Sequence, residues 1–128
     1  MSESKKILIV DDEQQLVLAM KIRLQSKGYE VITASDGQEA LDCANKDRPD
    51  LIILDVMMPG MDGYSCLREL NNRFGRGKIP VIILTARERM KDLFELEGIE
   101  DYMVKPFDYE DLLIRIQRVL QRREAISL

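Results

Sequence analysis

Apolar residues along this chain follow two alternating periods. Short uninterrupted runs at 5–10 (KKILIV), 51–54 (LIIL) and 79–84 (IPVIIL) are rich in isoleucine and valine, as strands buried on both faces are. Residues 29–34 (YEVITA) and 101–104 (DYMV) read as two further strands. Between them the spacing turns helical. Leu16, Met20 and Leu24 share a face over 13–26, and further helices are predicted over 38–46 and 63–72. A short one follows over 88–97 with Met90, Leu93, Phe94 and Leu96, and a last one over 108–123. That last helix places Leu112, Leu113, Ile116, Val119 and Leu120 on one stripe. Turn chemistry separates the elements: Lys27-Gly28 as a helix stop, Asp36 and Asp62 as caps, Arg48-Pro49 as a break, then Gly75, Gly77 and Gly98. Five strands alternating with five helices predict an α/β fold, one parallel sheet covered on both faces with right-handed crossovers. No repeat, low-complexity tract or linker interrupts the pattern, so residues 1–128 read as one domain.

The strand ends carry the chemistry. The first strand ends in Asp11-Asp12, the third in Asp55, the fourth in Thr85 and the fifth in Lys105. In a parallel sheet these ends share one edge, where open α/β sheets place their sites. A single strand-end aspartate is ordinarily a solvated residue, and a salt-bridged cluster that only pins the sheet is the structural alternative. Three acids held together repel and raise one another's pKa unless a cation intervenes. Lys105 supplies one charge, and Mg2+, with its preference for oxygen ligands and retained waters, suits the rest. A carboxylate beside Mg2+ can attack a phosphoryl group to give an aspartyl phosphate, a step that rests on positioning and charge neutralisation.

Composition narrows the choice. The chain has 128 residues and no histidine, so the commonest general base and metal ligand is missing and catalysis must rest on carboxylates, hydroxyls, lysine and a metal. An apolar fraction of 45% with 33% charged residues is that of an ordinary globular protein. A net charge of -4 gives no electrostatic case for nucleic acid. The start, MSESKK, has no signal-peptide core, and no uncharged run is long enough to span a membrane. Cys43 and Cys66 form no CxxC and read as free thiols of a cytoplasmic protein.

Four motifs in order, ILIVDDE, DLIILDVMMPGMDGY, VIILTA and DYMVKPF, resemble those of the receiver domain of a two-component response regulator, of the single-domain CheY-like type. The resemblance covers nearly the whole chain. It implies a flavodoxin-like strand order 2-1-3-4-5 and a signalling switch rather than a turnover enzyme, one that catalyses only its own phosphorylation and dephosphorylation. Asp55 would be the phosphoacceptor, supplied by a sensor histidine kinase or a phosphotransfer protein. Asp11, Asp12, Asp55 and the backbone carbonyl of Met57 would hold Mg2+. Lys105 would pair with the phosphoryl oxygens and precede a cis bond to Pro106. Thr85 would hydrogen-bond the phosphoryl group, Ala86 would leave the site open, and Tyr102 would turn inward when Thr85 moves. Met57 and Arg87 would tune the phosphoryl lifetime, while Met58 and Met61 read as packing.

One departure stands out: the stretch from Thr85 to Lys105 is shorter than in common receivers, which trims the fourth helix or the loop before it and alters the expected output face. Output is expected through a partner protein or a C-terminal effector domain, with no direct contact to nucleic acid or membrane. Arg115, Arg118, Arg122 and Arg123 read as a basic helix end favoured by the macrodipole. Two rival classes are weighed. A pseudo-receiver, never phosphorylated, would act as a constitutive interaction module, but would have no need to gather these charges. A hydrolase resembling the haloacid dehalogenase group would carry a second Asp where this chain has Met57.

Overall fold

The computed structural model describes residues 4–56, 62–86 and 90–127. Five strands, β1 (Lys6–Val10), β2 (Glu30–Ala34), β3 (Leu51–Leu54), β4 (Val81–Thr85) and β5 (Asp101–Val104), form one parallel sheet in the order β2-β1-β3-β4-β5. They alternate with α1 (Gln14–Ser26), α2 (Gly37–Asp47), α3 (Gly63–Phe74), α4 (Lys91–Leu96) and α5 (Tyr109–Ser127). This is the α/β class and strand order that the sequence implies.

The uninterrupted apolar strands are explained by helices on both faces of the sheet. Ile7, Ile9, Leu51, Ile53, Ile82 and Leu84 point to one side, where Met20 and Leu24 of α1 and the Leu112–Ile116–Leu120 stripe of α5 cover them. Their alternate neighbours Leu8, Val10, Ile52, Leu54, Val81 and Ile83 point to the other, under α2, α3 and Phe94 of α4. Side chains in a strand alternate in direction, so β1, β3 and β4 each feed two cores. Burying each such Leu or Ile stabilises the fold by about 1.5–3 kcal/mol.

Helix starts follow the capping residues. Asp36 accepts a hydrogen bond from Glu39 N at 2.8 Å, and Asp62 accepts one from Ser65 N at 2.7 Å. Each satisfies a first-turn donor that the helix itself leaves without a partner. The main difference from the expected pattern lies in α5, which continues to Ser127 rather than stopping near Arg123. Arg115, Arg122 and Arg123 therefore lie inside the helix and not in its final turn. Arg115 pairs with Asp101 and Asp111, and Arg122 and Arg123 pair with Glu100, so ion pairing accounts for these three, while Arg118 is exposed in the middle of the helix. Helix α4 is six residues long. Among the described residues no helix is long and apolar enough to cross a membrane.

Candidate functional site

The sheet registers fix the acids. β1 pairs with β3 through Val10 and Leu54, and the ladder continues one step as Asp55 N donates to Val10 O at 2.9 Å. Asp11 N donates to Ala34 O at 3.1 Å in the same manner. Asp11 and Asp55 thus leave adjacent strands side by side, each only 4% exposed, while Asp12 faces solvent. Carboxylate oxygens of Asp11, Asp12 and Asp55 all lie within 4.8 Å of one another.

Gly63 permits this placement. A Cβ there would stand 2.6 Å from both Asp55 O and Val56 Cα, so only glycine lets the start of α3 close onto the end of β3. Gly63 N donates to Val56 O at 3.0 Å and secures that contact.

Lys105 arrives from the far side. Its backbone N donates to Thr85 O at 2.7 Å, extending the β4–β5 ladder to a fully buried Thr85, and the Lys105–Pro106 peptide is cis. The Lys105 ammonium donates to Asp11 Oδ2 at 2.7 Å and to Glu13 Oε1 at 2.9 Å, and lies 3.7 Å from Asp55 Oδ2. Burial by itself would lower the Lys105 pKa, but the hydrogen bonds to Asp11 and Glu13 outweigh it and hold the pKa above the ordinary lysine value. The lysine is therefore a fixed positive charge at neutral pH.

Tyr102 is buried. It is 8% exposed, and its ring lies 6.2 Å from that of Phe94, which in turn meets Tyr64 edge-on at 5.5 Å. The structure thus brings together Asp11, Asp12, Asp55, Thr85 and Lys105 at one edge. Met57, Met58, Met61 and Arg87 lie outside the described residues. Ala86 borders a groove of about 750 Å³ between α1 and the β5–α5 connection, shared with Glu13, Lys105 and Pro106. Glu13 is the residue that sequence reasoning missed. Its signal was the third acid of the DDE run, and it stands at the N-cap position of α1 without making a side-chain cap bond.

The donor set fits a hard divalent cation. It consists of oxygens alone, with two carboxylates buried and one exposed, so an ion there would keep waters on its open side. Among the described residues Lys105 is the cation that meets these acids, at 2.7 Å from Asp11, 2.9 Å from Glu13 and 3.7 Å from Asp55.

Comparison with known proteins agrees with this geometry. The family model for the response regulator receiver domain matches residues 7–117. The alkaline phosphatase synthesis transcriptional regulatory protein PhoP of Bacillus subtilis is 43% identical over 126 residues, which cover 97% of this chain and 52% of that protein. The chain spans about half the length of the curated relatives it matches. A CheY-like receiver domain protein of Methanospirillum hungatei superposes with a TM-score of 0.89 at 30% identity, covering 96% of this chain and 98% of that one. The response regulator TrrA of Thermotoga maritima, solved in complex with Mg(2+)-BeF, superposes with a TM-score of 0.81 at 33% identity, covering 90% and 98%. With the family model spanning most of its length, the chain belongs to the response regulator receiver domain family.

Proposed function

We propose that this receiver domain is a phosphoacceptor switch in a two-component phosphorelay, with Asp55 as the acceptor. The observation that carries the reading is the convergence of carboxylates at one spot: oxygens of Asp11, Asp12 and Asp55 within 4.8 Å, with Lys105 against two of them. A carboxylate of Asp55 attacks the phosphorus of a phosphohistidine on a sensor kinase or phosphotransfer protein. The P–N bond breaks, its electron pair returns to the imidazole nitrogen, and that nitrogen takes up a proton. Asp11, Asp12 and Asp55 would hold Mg2+, with the Met57 carbonyl as a further ligand. Bound there, the ion would neutralise the oxygens of the transferring group.

The protein's own residues do the rest. Lys105, already 3.7 Å from Asp55, meets the roughly -1.5 to -2 charges that an aspartyl phosphate adds by analogy with other phosphorylated side chains. Thr85, at the end of β4, offers its hydroxyl to the phosphoryl oxygens. Tyr102, buried against Phe94, would follow Thr85 as it moves onto the phosphoryl group, a shift between populations of the fold. The domain is not a turnover enzyme; it acts on its own Asp55. Several curated relatives are named as transcriptional regulators and are about twice as long. Residues 1–128 are accordingly read as a receiver unit of the cytoplasm. Its output passes to a partner protein or a C-terminal effector domain, not directly to nucleic acid or membrane.

Intact-mass measurement after incubation with acetyl phosphate and Mg2+ tests this. A single phosphoryl adduct, absent from Asp55→Asn and from a chelated control, is expected. No adduct together with no Mg2+ binding would overturn the switch and leave a constitutive binding module.

A further inference from the structure

Lys105 stands between two kinds of carboxylate. Asp11 at 2.7 Å and Asp55 at 3.7 Å belong to the triad whose oxygens converge, whereas Glu13 at 2.9 Å does not. A divalent cation on the triad and the Lys105 ammonium both seek the charge of Asp11, and being of like sign they repel. The Glu13 side chain is 60% exposed, beyond the triad on the groove side, and occupies an N-cap position without capping the helix. Its carboxylate is engaged by Lys105 instead.

We infer that Glu13 is a positioning residue for Lys105: it keeps the ammonium at the rim of the site once Asp11 is given over to the cation. Lys105 then stays within reach of Asp55 without opposing metal binding. Without Glu13 the ammonium falls on Asp11, the other hydrogen-bonded partner it has among the described residues, and an incoming cation must displace it from there. The inference deepens the metal reading proposed above and rests on it.

The test is a double-mutant cycle on Mg2+ affinity, measured by titration calorimetry on the wild-type domain, Glu13→Gln, Lys105→Met and the double variant. Glu13→Gln is expected to weaken Mg2+ binding about two- to fivefold, the range of a partly exposed ion pair. In the Lys105→Met background the same substitution should leave only the smaller effect of long-range charge, so the two changes are coupled. Circular dichroism checks folding, and Lys105→Gln closes the cycle where Lys105→Met fails to fold. Equal effects of Glu13→Gln in both backgrounds, or none in either, would overturn the role of Glu13 while the metal reading stands. No Mg2+ binding by the wild-type domain would overturn both.

Discussion

Two regions of this domain gather charge in opposite ways. On the β5–α5 side, Arg115 lies 2.8 Å from Asp101 and 3.2 Å from Asp111, while Arg123 and Arg122 lie 2.7 and 3.8 Å from Glu100. Three guanidinium groups meet three carboxylates, all of them partly exposed. At the strand ends, Asp11, Asp12, Glu13 and Asp55 meet Lys105, and two of those acids are almost fully buried. The first region is complete as it stands. The second, among the described residues, gathers four acids around one ammonium, and like charges held where solvent screens them poorly are eased by a further cation. Among the described residues, the ratio of acids to bases, more than charge density, separates a site from a scaffold here.

The largest contrast to test is chemical. Asp55→Asn should abolish the phosphoryl adduct outright, read by intact mass, whereas Glu100→Gln should leave the adduct yield unchanged. Labelling that survived in Asp55→Asn would move the acceptor elsewhere and break the comparison. Next in size comes the backbone that holds Asp55 in place. Gly63→Ala sets a Cβ 2.6 Å from Asp55 O and Val56 Cα, backbone atoms that cannot swing aside. Forcing the start of α3 away from β3 should cost about 1–3 kcal/mol in denaturant unfolding, the range of an overpacked core. It should also weaken Mg2+ binding. Loss of stability with Mg2+ affinity intact would mean that Gly63 supports the fold without placing the acid.

Most of this arrangement was legible in the sequence because it depends on local rules. Unbroken runs such as LIIL and VIIL require two covered faces, and β3 and β4 have them. Strand-end residues Asp11, Asp55, Thr85 and Lys105 converge because every strand in a parallel sheet points the same way. What stayed hidden depends on where long side chains go. Glu13 reads as an ordinary helix-start acid until Lys105 is seen against it. Arg115 and Arg123 read as a basic helix end because nothing in their spacing shows that Asp101 and Glu100 lie across from them. Gly63 reads as one glycine of a turn, and its close contact with Asp55 is visible only in three dimensions.

The finest test of the comparison is one of sign. Glu100→Gln removes the negative charge that Arg123 meets at 2.7 Å, in a pair that is mostly covered. Stability should fall by about 1 kcal/mol, at the upper end for an exposed pair because Glu100 is mostly covered. Asp12→Asn removes one of the surplus acids and should raise the melting temperature slightly in the presence of a chelator, since it relieves repulsion from Asp11 and Asp55. Saturating Mg2+ should reverse the second result and leave the first untouched. The wild-type domain gains stability from an ion bound only to the folded state, and Asp12→Asn forfeits part of that gain. If Asp12→Asn were destabilising in the chelator as well, the acids at the strand ends would already be balanced, and the distinction between the two regions would fail.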